Sequence, residues 1–474
     1  MVENKTFTRA IKSGQATSEV LALNGFTATI SPLPEAAVYS VVLFSGGAEG
    51  MVWQIRQNSM DVLLLNEVPL YANELAVLYK EELKLGVGKK LLGRIVNPLG
   101  KPLDGKGFVA TKSEMQYFRS APGFKDRGNV QDPLESGVTI VDTLLPLVKG
   151  QRMAVMGDSK SGKTSFLVQA AIHQAQAGQV VVYVLVSKAR NELARVVEAF
   201  ERAKVMKNII IVVSDTAEPL PVGFLAPYAG CAIAEAFWYA GQDVLVVYDD
   251  FTNHAKIYRE MALLLNQNVG REAYPGDMFH VHAALLERAG KLAESNSTLT
   301  VLVAGSTPNN DLTDYQSTRL ISMSDGQIVF DLTALHEGNR PAINTELSVS
   351  RVGGGTNKIL DSQITNSVFR ALGRYKQAKA MTSFIDQISE LSRLEVALGS
   401  RITEALQQTA TEYYSFYQQR VLLEVILKSD DPSILDVIWL KGEVNKMKSK
   451  KDYSLDELEK IISDLVKKTA GVKQ

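Results

Sequence analysis

Three patterns of apolar and polar positions follow one another along this chain. Over residues 1–85, short alternating runs such as 38–44 and 61–65 are broken by Gly, Pro and Asn. A period of two puts alternate side chains on opposite faces of a strand. The turn residues end each run early, so the region predicts a small β-barrel. Over 86–375 the pattern changes. Runs at 180–186, 209–213, 244–248 and 299–303 are apolar throughout and rich in Val and Ile, as suits parallel strands buried on both faces. Helical spacing lies between them, at 189–204 and 254–265. This is the pattern of an open, mostly parallel α/β domain, with ligand expected at the carboxyl ends of its strands. Over 376–474 prolines nearly vanish, and Leu, Ala, Glu, Gln and Lys dominate at helical spacing, as in 400–428 and 454–468. Ser454 with Glu457 forms a capping box ahead of Leu458, and the region predicts a helical bundle with a solvated, Lys-rich tail.

Composition narrows the field. A chain of 474 residues exceeds one core and predicts two to four domains. The net charge of −1 gives no bulk field toward nucleic acid or anionic lipid. The single cysteine, Cys231, excludes an intrachain disulfide framework. The polar start has no signal-peptide core, and the longest apolar run, 180–186, is too short to span a bilayer. No nucleic-acid binding and no direct membrane insertion are expected.

Chemistry concentrates in Gly157-Asp158-Ser159-Lys160-Ser161-Gly162-Lys163-Thr164, which spells G-x-x-x-x-G-K-[ST]. Two glycines let the backbone bend around a triphosphate. The loop amides, and those opening the next helix at Ser165, then face phosphate oxygens. A short strand at 153–156 before the loop and a helix at 165–176 after it supply the required context. Lys163 is expected on the β/γ-phosphates and the Thr164 hydroxyl on Mg²⁺. The apolar strand that ends in Asp249-Asp250 has the form of the second nucleotide signature. Asp249 is expected to hold Mg²⁺ through water, while Asp250 reads as a turn or helix-cap residue.

With these motifs stand Gly270-Arg271-Glu272-Ala273-Tyr274-Pro275-Gly276-Asp277, Leu285-Leu286-Glu287-Arg288-Ala289, Ile321-Ser322-Met323-Ser324-Asp325-Gly326-Gln327 and Arg340-Pro341-Ala342-Ile343-Asn344, running on to Ser348-Val349-Ser350-Arg351-Val352-Gly353. Together they resemble the alpha subunit of F-type rotary ATPases, strongly over 91–379 and more weakly in the flanking regions. The resemblance implies a multidomain fold of N-terminal barrel, central P-loop nucleotide domain and C-terminal helices. It implies ATP or ADP with Mg²⁺ as ligand, and alternation with a catalytic beta-like subunit in a six-membered ring around a gamma-like shaft. A peripheral stalk and a membrane sector are further implied partners, with the complex on the inner face of the cell membrane.

Residue roles follow from the same resemblance. Arg351 would reach into the neighbouring subunit's catalytic site as an arginine finger, with Ser322 and Asp325 lining that interface. Arg340 and Pro341 would flank the adenine, and Ala273 to Asp277 would form the bearing around the shaft. Ring-forming relatives place the carboxylate that orients attacking water at the end of the strand after the first helix. Here that position reads Ser187, followed by Lys188 and Arg190, and the nearest acid, Glu192, lies in the next helix. The chain is therefore expected to bind ATP and cleave it poorly on its own. The competing reading, a self-sufficient homohexameric secretion- or helicase-type ATPase, needs the missing base. Departures from the family pattern are Ser159-Lys160 in the loop, Ser429 and Asp431 where adenine-contacting glutamines are usual, a longer helical stretch before Ser429 and a short N-terminal extension. They suit a divergent F-type-like ATPase that drives a load such as motility.

Overall fold

In the computed structural model, which describes residues 5–382, 390–448 and 452–471, the N-terminal alternation closes into a six-stranded barrel. Thr17–Asn24 pairs with Thr27–Ile30 on one side and Leu75–Lys80 on the other, and Met60–Leu64, Glu49–Ile55 and Val41–Phe44 complete the ring. Closure leaves no unpaired sheet edge. In Val41–Phe44 all four residues are buried, for two reasons. Val42 and Phe44 point inward with Val20, Ile30, Val52 and Val62, whereas Leu43 points outward with Val77 onto Phe7 of the helix Lys5–Lys12.

The chain divides into two units: Met1–Gly128 with Gly178–Gly305, and Asn129–Ala177 with Ser306–Gln474. Beyond the barrel, the first unit holds parallel strands in the order Thr298–Ser306, Val244–Asp249, Val180–Lys188, Ile209–Asp215 and Ile95–Val96. Their Val and Ile side chains are buried on both faces, as continuous apolar runs require. The helices Arg190–Arg202 and Phe251–Leu264 fall where helical spacing predicts them.

The helix Leu220–Trp238 is an addition to the sequence reading. It is long and apolar enough to cross a membrane, yet 89% of its window is buried inside the protein. Gly230 sits on the strand Val180–Lys188, where a Cβ would come within 2.2 Å of a Val184 methyl. The same helix buries Glu235 against Arg288, through bonds of 2.8 and 2.7 Å, and the remaining Arg288 amine donates to the Tyr117 carbonyl at 2.6 Å. A pair so enclosed stands only because each charge satisfies the other. Burial pushes the neighbouring Cys231 thiol up to about 12, so the one cysteine is held as an inert thiol.

In the second unit Arg152–Gly157 runs parallel to Gly326–Phe330, and Val349–Ser350 returns antiparallel to it. The C-terminal region is helical: Ser362–Thr382, Glu390–Leu406, Phe416–Leu427, Val437–Asn445 and Leu455–Gly471. The helical spacing over 400–428 belongs to two helices. Leu406 ends the first, and Ser415 opens the second through a capping box with Gln418. Ser454 and Glu457 form the expected capping box, at 2.9 and 3.2 Å. The tail beyond Gly471, like the first four residues, lies outside the described residues.

Candidate functional site: a phosphate loop, a carboxylate pair and an arginine turn

The loop 157–164 joins the strand Arg152–Gly157 to the helix Lys163–Gln176. Gly157 must lack a side chain, because a Cβ there would lie 2.7 Å from Ser161 Oγ and 2.8 Å from the Phe330 carbonyl oxygen. Gly162 caps the helix at φ 109°, a left-handed conformation that glycine adopts without strain. The backbone amides of the helix's first turn, from Lys163 to Ser165, thus have no intrahelical acceptor.

Lys163 folds back over the loop, and its ammonium donates to Gly157 O at 2.6 Å and Asp158 O at 2.7 Å. Asp158 braces the outer side, accepting from the amides of Ser159 at 2.6 Å and Asn309 at 2.9 Å. Ser159, Lys160, Thr164 and Ser165 are exposed along the rim. The Ser161 hydroxyl is buried without a partner among the described residues. A helix N-terminus, a buried hydroxyl without a partner among the described residues and a lysine folded back over the loop make a donor set that fits the phosphates of a nucleotide.

Arg340 and Pro341 follow the same sheet, on the far side of the short helix Leu332–His336. The Arg340 carbonyl accepts from the Gln408 amide at 2.6 Å. Gln408, absent from the sequence reading, is therefore the glutamine adjacent to this pair. Its side chain is spent inward: Oε1 accepts from the Thr139 amide and hydroxyl at 3.0 and 3.1 Å, and Nε2 donates to the carbonyls of Gly137 and Glu412 at 2.6 Å each. Asp431 is occupied in capping the turn Pro432–Ile434. A long-range backbone contact of this kind leaves no local pattern, which is why the sequence did not point to Gln408.

The carboxylate pair lies in the first unit. Leu185 is level with Asp249 across the parallel ladder, and beyond Leu185 the register shifts. Ser187 turns to φ 48°, its amide donating to Ser214 Oγ at 2.8 Å. This bulge carries the strand on to Lys188, where the sequence pattern ended it at 186, and aims the lysine inward. The Lys188 ammonium contacts Asp249 Oδ1 at 3.0 Å and Asp250 Oδ2 at 3.1 Å. Side-chain exposures of 12%, 3% and 9% make this an enclosed triad.

Burial alone would lower the Lys188 ammonium, but Asp250 and Asp249 outweigh it and hold it above its ordinary range. The Tyr183 hydroxyl donates to Asp249 Oδ2 at 3.2 Å, and Asp250 Oδ1 caps the helix Phe251–Leu264 by accepting from the Asn253 amide at 2.7 Å. Asp249, expected to hold Mg²⁺ through water, is thus engaged by a protein cation. No group of three His, Cys, Asp or Glu among the described residues is placed to hold a metal. Glu192 is exposed in the first turn of the next helix.

Arg351 follows the strand Val349–Ser350. Its amide donates to the Asp325 carbonyl at 3.1 Å and its guanidinium to the Ser324 carbonyl at 2.8 Å. Arg152 clamps Asp325 from below with two side-chain bonds, at 2.7 and 3.1 Å. Ser350 Oγ donates to the Pro146 carbonyl at 2.7 Å, and Gly353 lies so close that a Cβ would fall 1.8 Å from that same oxygen. Ser324, Asp325 and Arg351 therefore meet. The Ser322 hydroxyl, expected at the same interface, donates to the Thr318 carbonyl of its own helix at 2.7 Å. Ala273 to Asp277, the expected bearing loop, borders a cavity of about 590 Å³ lined by Trp53, Arg56, Tyr258 and Asp277.

A glycine loop between a buried strand and a helix defines a P-loop nucleotide-binding protein. The chain belongs to the ATP synthase alpha-subunit family. Residues 137–350 match the model of the ATP synthase alpha/beta family, nucleotide-binding domain. It is 37% identical over 396 residues to ATP synthase subunit alpha of Dictyoglomus thermophilum, covering 83% of this chain and 78% of that one. It is 34% identical over 444 residues to the Petrotoga mobilis alpha subunit, covering 89% and 87%. A third relative, the alpha subunit of Clostridium botulinum, is 36% identical over 383 residues, covering 80% and 76%.

Proposed function

We propose that this chain is a non-catalytic, nucleotide-binding alpha-like subunit of an F-type rotary ATPase that lends Arg351 to a neighbouring catalytic subunit. Gly157 to Ser165 hold the phosphates of ATP or ADP, and Arg340 and Pro341 flank the base. Mg²⁺ is the family's usual companion of the nucleotide, for which Thr164 is this chain's candidate ligand. The partners are a beta-like catalytic subunit alternating in a hexamer and a gamma-like shaft. Peripheral-stalk and membrane-sector subunits would place the complex on the inner face of the cell membrane.

One observation carries the non-catalytic reading: the end of the strand Val180–Lys188 offers a hydroxyl and an ammonium, and no carboxylate. Water attacking a phosphoryl group needs a base or an orienting acceptor, and an ammonium paired to two carboxylates is neither. Arg351 supplies what such a subunit can still give. A guanidinium on a turn pinned by Asp325, Ser350 and Gly353 stabilises charge on a transferring phosphoryl group without reorganising.

The test is ATP turnover by the purified chain, alone and mixed with a beta-like partner that carries the missing glutamate. Negligible turnover alone and brisk turnover in the mixture are expected. Equal, brisk turnover in both would establish the self-sufficient homohexamer instead.

A further inference from the structure

We propose, resting on the reading of Arg351 as a finger, that Arg152 is its positioning residue: it clasps Asp325 and so fixes the carbonyls that hold Arg351. Every group involved lies in one unit, Asn129–Ala177 with Ser306–Gln474. Arg351 is held by consecutive carbonyls. Its amide donates to Asp325 O at 3.1 Å, and its guanidinium donates to Ser324 O at 2.8 Å. The side chain is exposed, and this bond uses a single guanidinium donor, which leaves the others available to a phosphoryl group. Whatever fixes residues 324 and 325 therefore fixes the finger at its root and along its length.

Arg152 clasps Asp325 with side chain and main chain alike. Its Nη2 donates to Asp325 Oδ1 at 2.7 Å and its Nε to Oδ2 at 3.1 Å, a bidentate fork that lysine cannot make. Its amide donates to the same Oδ2 at 2.9 Å, and its carbonyl accepts from the Asp325 amide at 2.7 Å. Asp325 is thus tied by its amide and by both carboxylate oxygens, and its carbonyl is left to Arg351. The Ser324 hydroxyl donates to Leu320 O at 2.7 Å, which secures the other carbonyl's residue to the helix Tyr315–Met323. Arg152 opens the strand Arg152–Gly157, and Asp325 directly precedes its parallel neighbour Gly326–Phe330. The phosphate loop leaves the other end of that strand, about 17 Å away by the rise of an extended chain. The clasp therefore serves the finger turn and not this chain's own phosphate loop.

The experiment is steady-state ATP hydrolysis by the complex with the beta-like partner, for Arg152→Ala and Arg152→Lys, each alone and combined with Arg351→Ala. Calorimetric titration of the isolated full chain with ATP runs beside it. Arg152→Ala should lower kcat about a hundredfold at unchanged KM, the scale of an ångström's misplacement. In the Arg351→Ala background the same change should cost less than about twofold, because no finger is left to misplace. Arg152→Lys should lose about tenfold, the worth of one charge-assisted bond, and the loss should again vanish without Arg351. ATP affinity of the isolated chain should be unchanged in both variants.

Equal losses with and without Arg351 would make Arg152 a general support of the sheet and overturn this inference, leaving the finger reading intact. Wild-type turnover in Arg152→Ala, or a fall in its ATP affinity, would overturn it in the same way. Wild-type turnover in an assembled Arg351→Ala complex would overturn the finger reading and this inference together. Arg152→Lys keeps the charge and the stem, so the same comparison made on it decides the matter if Arg152→Ala does not assemble.

Discussion

Arg351 and Gly353 show how much of the proposed function depends on single atoms. The finger needs a fixed turn, and Gly353 is fixed by contact: its backbone packs on the Pro146 carbonyl where no side chain fits. Gly354, next along, has open space. Gly353→Ala should therefore shift the turn and lower turnover of the complex by about a hundredfold, the scale set by ångström misplacement of a positioned group. Gly354→Ala should leave it unchanged, and ATP affinity of the isolated chain should be unaffected by either. Steady-state turnover and nucleotide titration check this, and normal turnover in Gly353→Ala would mean the turn is not held as described. At this scale the phosphate loop was legible in the sequence, because its chemistry lies within eight consecutive residues. Lys188 was not, because the bulge at Ser187 decides where that side chain points. Arg152, which clamps Asp325 across a ladder of strands, was equally silent in the linear pattern.

Elements were read best where burial and periodicity agree. The apolar runs became parallel strands, some extended by a residue or two at their ends. The helix Leu220–Trp238 escaped because it is apolar on every face, so no amphipathic period marks it, and Pro227 interrupts the pattern. The stretch 400–428 was read as continuous because the break at 407–415 contains no Gly or Pro.

The helix Phe251–Leu264 carries a prediction of its own. His254 Nε2 faces the Phe224 carbonyl at 2.9 Å and must donate to it, which leaves Nδ1 to accept from His282 at 2.9 Å. Burial pulls His254 down from 6.5 to about 4. A lowered histidine contributes stability above its unfolded value, and that contribution disappears as pH falls from 6.5 through 4. By the linkage relation it amounts to about 3 kcal/mol. Urea denaturation at pH 7 and pH 5 should show a loss in the wild type that is smaller in His254→Gln. An equal loss in both would assign the acid sensitivity elsewhere.

For the whole molecule, the proposed division of labour rests on two facts of charge. One unit carries a glycine loop over which Lys163 folds back, and the other carries a lysine paired to Asp249 at the strand end where the proposed reading looks for a carboxylate. The barrel, α/β region and C-terminal helices were all visible in the sequence, since each has its own period. The assembly is legible only through the family, because an interface made with another chain leaves no periodic mark in this one. The measurement that bears most directly on the account is ATP hydrolysis by the complex of this chain with its beta-like partner, comparing the wild type with Arg351→Ala and Arg351→Lys. Intact complexes that lose about a thousandfold or more in turnover on Arg351→Ala are predicted, with no recovery on Arg351→Lys, because a point charge does not replace the planar fork. Turnover within about twofold of the wild type in an assembled Arg351→Ala complex, against the effect an arginine finger has, would contradict the account.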